Sequence, residues 1–295
     1  MKILNIMKRF RALPAIALAG VLVVLSACGD DDYFVVNRQI DVITREEGSG
    51  TRDAFIEILG IRREVNGTVR DMTFPEADVA PGTSAVISSV SGNFYAVGYI
   101  SLGSLNNTVR GVPINGVPAT PANVINGSYP LFRGFHIAYG DNLNALAQDF
   151  IDFMLSADGQ EIVTNNGFVT VDQNPPVFTG GGLTGTINVN GSTSVFSIMS
   201  RLAEAYENAN PGATVNVHST GSSAGITATI NGLADIGMTS RDLTATELTQ
   251  VNYRSIAFDG LVVIVNNENP LPSLSPEEVR LIFEGERTRW SDFIS

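Results

Sequence analysis

Polar and apolar positions alternate along Gln39 to Thr44 (QIDVIT), which predicts a strand. The turn GSGT follows at 48–51, and Ala54, Phe55, Ile56 and Leu59 then recur with helical spacing through about Leu59. Tyr95 to Ile100 (YAVGYI) predicts an apolar strand. Leu143 to Leu155 predicts a helix with Leu143, Leu146, Phe150, Ile151 and Met154 on one face. Residues 172–185, DQNPPVFTGGGLTG, interrupt the pattern with two prolines and three consecutive glycines, as a linker does. The pattern then restarts. Strands are predicted at Thr186 to Val189, Val215 to His218 and Asp235 to Met238, and a buried strand at Leu261 to Val265 (LVVIV). Helices are predicted from the GSTS turn to about Glu207, after Gly221–Gly225, near Thr244 to Gln250, and from Ser275-Pro276-Glu277-Glu278, which has a serine N-cap and a proline at the first helical position. Strands alternating with helices predict an α/β architecture.

Four times a predicted strand runs through glycine or hydroxyl residues into a predicted helix: GSGT at 48–51, GSTS at 191–194, GSSAG at 221–225 and TS at 239–240. In open α/β sheets such turns lie at the carboxyl ends of strands, where ligands bind. Each offers unpaired backbone N–H groups, the positive end of a helix and short hydroxyl donors. One such turn alone is an ordinary N-cap. Several converging on one cleft would surround a small oxyanion with neutral donors and need few cations.

Composition narrows the reading. The chain has 295 residues, 44% hydrophobic and 16% charged, which fits one large or two modest globular domains. A net charge of −12 and the absence of a basic stripe argue against nucleic acid as a partner. The same charge gives no long-range attraction for an anion, so an anion site must rely on local dipoles and one or two placed cations. Residues 1–28 read as an export segment: Lys2, Lys8, Arg9 and Arg11 precede an apolar run from Ala12 to Leu25 that is short for a membrane span. It ends Leu25-Ser26-Ala27-Cys28, which resembles a bacterial lipobox and makes Cys28 the expected lipidation site. Cys28 is the only cysteine, which excludes disulfides within the chain and cysteine-rich metal sites. Asp30 to Asp32 fall in a solvated spacer, 29–36.

Arg45-Glu46-Glu47-Gly48-Ser49-Gly50-Thr51, Gly191-Ser192-Thr193-Ser194, Gly221-Ser222-Ser223-Ala224-Gly225 and Asp235-Ile236-Gly237-Met238-Thr239-Ser240-Arg241 resemble the phosphate-binding proteins of bacterial ABC phosphate uptake systems. So do GYISLGSL at 98–105 and FIDFMLSADGQEIV at 150–163. The resemblance implies a two-lobed periplasmic-binding-protein-like fold with the ligand between the lobes. In that family the GST and GSS segments come first and the R-x-E-G-S-G-T half second; here the halves stand in the opposite order. A circular permutant, with the old ends joined through 172–185, is the favoured explanation, and a truncated tandem of half-proteins the alternative. The permutant implies a split lobe, 37–99 plus 263–295, and a continuous lobe, 100–262, with crossings near Gly98–Ile100 and Leu261–Ile264.

The resemblance assigns ligand binding to Arg45, Ser49, Gly50, Thr51, Thr193, Ser194, Ser222 and Ser240. Glu47 becomes an orienter of Arg45 or an acceptor for the ligand's proton. Some family members carry an aspartate where Ser240 stands, so rejection of sulfate rests on fewer acceptors here. Arg241 is expected to face solvent. The partners implied are inorganic phosphate, an ABC permease and the membrane, through the lipid; no cofactor or metal is expected. A phosphate, sulfate or molybdate sensor or scavenger is the alternative. A serine hydrolase is a minor one: Gly221–Gly225 places Ser223 in a G-x-S-x-G slot, but His136 and His218, the only histidines, both precede it, against the order of an α/β-hydrolase.

Overall fold

The computed structural model describes residues 33–294; Cys28, the export segment and the first half of the spacer lie outside the described residues. The strands are β1 (Asp41–Arg45), β2 (Arg62–Val65), β3 (Thr68–Asp71), β4 (Asp78–Ala80), β5 (Ala96–Ser101), β6 (Arg110–Gly111), β7 (Phe132–Tyr139), β8 (Gly185–Gly191), β9 (Ala213–Ser219), β10 (Ile236–Thr239) and β11 (Asn252–Val265). The helices are α1 (Gly50–Ile58), α2 (Thr83–Ser91), α3 (Pro121–Ile125), α4 (Ala145–Leu155), α5 (Ala157–Asn165), α6 (Phe196–Ala209), α7 (Ser222–Ile230) and α8 (Pro276–Phe283). No described helix is long and apolar enough to cross a membrane.

One curled nine-stranded sheet runs in the order β4-β1-β5-β11-β7-β10-β8-β9, with β6 also on β11, and β2 and β3 form a separate antiparallel pair. Its spine is β11. Residues Leu261–Val265 pair antiparallel with β5, while Asn252–Gly260 pair antiparallel with β7. One 14-residue strand thus serves both halves of the sheet. Helices cover both faces of each half, which is why LVVIV is apolar throughout instead of alternating.

Each half has its own core. In the first, Phe55 of α1 stacks on Tyr99 of β5 at 3.8 Å, and Phe283 of α8 meets Phe55 edge-on at 4.8 Å. Val86 and Val90 of α2 pack on the opposite face against Ile100, Val262 and Ile264. In the second, Phe150, Met154, Ile198, Leu202 and Tyr206 of α4 and α6 pack on Ile187, Val189, Ile236 and Met238. The chain folds as two α/β lobes that share β11.

The first core reaches past residue 100: Val112, Ile114, Val124, Tyr129 and Leu131 all belong to it. The cause is pairing after the crossing strand, with Gly111 against Ile264 and the Tyr129 hydroxyl on the Leu261 carbonyl at 2.8 Å. Two expectations change. No α-helix forms near Thr244 to Gln250, only a 3₁₀ turn at Glu247–Thr249. There the Glu247 carboxylate is drawn to the Thr244 N–H and to Arg241, and threonine hydroxyls bond nearby backbone, which competes with a helical ladder. The GSTS turn continues to Val195 before α6 begins at Phe196.

Candidate functional site

Arg45 ends β1 with its side chain 1% exposed. The phenol of Tyr99 holds this strand end, accepting from the Arg45 N–H at 3.2 Å and meeting the Thr44 hydroxyl at 3.0 Å. The Arg45 Nε and Nη2 each donate to Glu46 at 2.7 Å, and Nη2 also donates to Thr193 Oγ1 at 2.9 Å. Its Nη1 is buried and has no hydrogen-bond partner; among the described residues only Arg52 Nε shares that condition. Gly48 turns the chain with φ +82, a conformation that glycine adopts without strain. Ser49 then caps α1, its hydroxyl accepting from the Arg52 N–H at 3.3 Å and keeping its own proton to donate. Gly50 and Thr51 begin the helix, where N–H groups lack intrahelical acceptors.

The second lobe supplies the facing wall. Thr51 Oγ1 and Ser194 Oγ are 2.8 Å apart, although 143 positions separate them. Ser192 Oγ donates to Ser240 Oγ at 2.9 Å, and the Ser240 N–H donates to Ser222 Oγ at 3.2 Å. Ser194, Ser222 and Ser240 are fully buried, and Thr193 is half-buried. The turns that follow β1, β8, β9 and β10 therefore converge, since all four strands point their carboxyl ends at one cleft. Gly50 is what permits the approach, because a side chain there would run into Ser222 and Ser240.

Some residues were missed or misassigned. Thr83 stands 3.4 Å from both Thr193 Oγ1 and Ser194 Oγ. Its signal was present: Gly82-Thr83-Ser84, at the start of α2 after β4, is a fifth glycine–hydroxyl turn, overlooked because three-residue β4 is too short to show alternation. Glu46, not Glu47, orients Arg45; Glu47 is exposed. The Glu46 carboxylate also accepts from the Gly82 N–H at 3.1 Å. With Gly82, Thr83, Ser84, Thr193 and Thr220 it lines a cavity of about 540 Å³ beside the hydroxyl cluster. Arg241 does not face solvent. It is 9% exposed, with Nη1 and Nη2 on Glu247 at 2.8 Å and Nε 3.2 Å from Asp53. Beneath the cleft a buried pair had no sequence signal: Arg133 binds Asp259 through Nε and Nη2 and donates from Nη1 to the Ser240 carbonyl at 3.1 Å.

Burial pushes the Glu46 carboxyl up, but its hydrogen bond and charge pairing with Arg45 and the Gly82 N–H outweigh that and hold it below the ordinary carboxylate value. A carboxyl depressed in the folded state adds stability above its unfolded pKa and loses it as pH falls through the folded one. Glu46→Gln should therefore melt below wild type at pH 7, and the difference should narrow as pH drops below about 4. Thermal melts of both proteins from pH 7 to pH 3 check this; a constant gap would deny the pairing.

The hydrolase arrangement does not form. The Ser223 hydroxyl lies 3.4 Å from Arg241 Nη2, His218 is exposed, and the His136 ring bonds Ser255 and Asp242.

The model of the PBP superfamily domain matches residues 31–158 and 176–295. A phosphate-binding protein PstS 2 of Streptococcus pneumoniae serotype 4 is 44% identical over 288 residues, 96% of this chain and 98% of that protein. The chain belongs to the PstS family of the PBP superfamily. PstS 2 of Streptococcus agalactiae serotype V is 39% identical and covers 97% of this chain and 99% of its own length. Among solved structures, the phosphate-binding protein of a phosphate ABC transporter from S. pneumoniae TIGR4 superposes with a TM-score of 0.70, 45% identical over 87% of this chain and all of that one.

Proposed function

We propose that the chain captures inorganic phosphate between its two lobes and presents it to the permease of an ABC importer. The observation that carries this reading is Arg45 Nη1, a buried guanidinium donor without a partner, set among hydroxyls from both lobes. A buried cationic donor left unpaired is costly, and a tetrahedral oxyanion supplies the missing acceptor. Arg45, Ser49, Gly50, Thr51, Thr193, Ser194, Ser222 and Ser240 are the proposed ligand contacts, with Thr83 added. Hydroxyls both donate and accept, so Ser240 and its neighbours can receive the proton of HPO₄²⁻ in place of a carboxylate. Lobe closure excludes water and strengthens each bond, and release follows reopening.

The packing supports lobes of residues 33–131 plus 261–294 and 132–260. A permuted chain order is supported by the way the described ends meet. Gln39 bridges to Arg289, and the Ile40 N–H donates to the Thr288 carbonyl at 2.8 Å. Ends so placed can be exchanged for the 172–185 connection at little cost. Lipidation at Cys28 would hold the protein at the outer face of the cytoplasmic membrane, where a solute-binding protein meets its permease.

A thermal-shift series with phosphate, arsenate, sulfate and molybdate tests the reading. Phosphate should raise the melting point as its concentration rises, by about 2.7 kcal/mol of stabilisation at 100 times Kd. A melting point indifferent to all four anions would end it; a response to sulfate or molybdate alone would assign the cleft to that anion.

A further inference from the structure

We propose that Asp53 and Arg241 form a latch between the lobes that holds the cleft closed without ligand, so that they set the affinity of the site without touching the anion. The proposal rests on the two-lobed capture reading above. Asp53 lies in the first turn of α1, in the lobe that carries Arg45. Arg241 follows β10, in the lobe that carries Ser240. Their charged groups meet at 3.2 Å across the cleft. Each is anchored from its own side. Arg62 Nη2 donates to Asp53 Oδ1 at 2.8 Å, and Glu247 takes both terminal nitrogens of Arg241 at 2.8 Å. The Asp242 carbonyl accepts from Arg241 Nη1 at 2.8 Å as well, and Ser223 stands 3.4 Å from Nη2. The four charged groups alternate in sign, and the Asp53 and Arg241 side chains are 18% and 10% exposed. At such burial solvent screens the pair less than it would an exposed surface pair. Beside it the Ser223 N–H donates to the Gly48 carbonyl at 3.2 Å, a second link across the same edge.

Both ends of this cluster are prepared by their own lobes, and only the Asp53–Arg241 contact crosses. Opening the cleft breaks that contact and leaves the flanking pairs intact. Its free energy therefore belongs wholly to the closed state, and it biases the open–closed equilibrium with or without an anion. A site whose competent form is only partly populated binds more weakly by that fraction, so loss of the latch lowers apparent affinity although every ligand contact remains.

The test uses the full chain, with phosphate as the probe. Asp53→Asn should weaken phosphate binding in calorimetry about tenfold, within the usual range of coupling between sites. It should also increase the radius of gyration of the ligand-free protein in small-angle X-ray scattering. Asp53→Glu should restore much of both. Arg201→Gln removes an exposed ion pair with Glu204 from within one lobe, away from the cluster, and should change neither. If Asp53→Asn leaves affinity and radius unaltered, or if Arg201→Gln reproduces its effects, the latch is refuted. Failure of the wild type to bind phosphate, with Asp53→Asn still expanding the ligand-free protein, would refute the phosphate reading and keep the latch.

Discussion

Arg45→Ala should weaken phosphate binding by about 2–4 kcal/mol, roughly 30- to 1,000-fold, the range for deleting a charged hydrogen-bond partner from a buried site. Three arginines are buried around the cleft, and their partners decide between them. Arg133 is saturated by Asp259 and the Ser240 carbonyl. Arg241 is saturated by Glu247, Asp53 and the Asp242 carbonyl. Arg45 gives Nε and Nη2 to Glu46 and Thr193 and retains an unpaired Nη1. It is the one whose hydrogen-bonding capacity is unfilled. Glu46 fixes the guanidinium plane, so the free donor is aimed before any anion arrives and little entropy is lost on binding. The substitution also leaves Glu46 with only the Gly82 N–H among these donors, so some loss of melting temperature should accompany the loss of affinity. Titration calorimetry measures the first effect and a thermal melt the second. Wild-type affinity in Arg45→Ala would remove the residue from the site.

Most of the architecture is legible in the sequence because it depends on local signals. The capping box at Ser275 and Glu278 appears as read, since it depends on residues three apart. Four of the six residues of QIDVIT fall in β1 and all of LVVIV falls in β11, as alternation and a continuous apolar run imply. What could not be read depends on contacts distant along the chain. The reach of the first core past residue 100 depends on β6 adding to β11 from more than 150 positions away. Arg133 and Asp259 sit in stretches that look like ordinary strand, and only the register of β7 on β11 sets them opposite each other. Arg241 looked like a solvated charge because Asp53 is almost 190 positions earlier. The choice between Glu46 and Glu47 turned on backbone direction after β1, which composition does not carry. The hydroxyl turns were visible one by one; their convergence belongs to the curled sheet.

Gly50→Ala should leave the protein folded and reduce its affinity for phosphate by about 5- to 150-fold, as overpacking of about 1–3 kcal/mol would. Gly50 begins α1 at a negative φ, so alanine suits its backbone and favours the helix. The conflict lies wholly across the cleft. A Cβ at Gly50 would overlap the Ser222 hydroxyl and stand 2.9 Å from both Ser222 Cβ and Ser240 Oγ. A rotated Ser222 hydroxyl relieves the first contact, but Ser222 Cβ moves only with the backbone of α7. Since Ser222 is fully buried and Gly221 holds a positive φ of +99, that backbone has little room to give. The lobes would therefore stop short of closure. Every donor would remain on its own lobe, yet donors from the two sides would no longer reach one anion together, and the gap would admit water. Gly48→Ala separates this from a general intolerance of the turn. Gly48 has a positive φ, which strains alanine, but its Cβ would be 3.6 Å from the nearest atom, Ser223 Cβ. It should cost stability more than affinity, whereas Gly50→Ala should cost affinity more than stability. Paired melts and calorimetry on the two variants measure that contrast, and equal affinity in Gly50→Ala and wild type would mean that the bound state does not bring these two turns together.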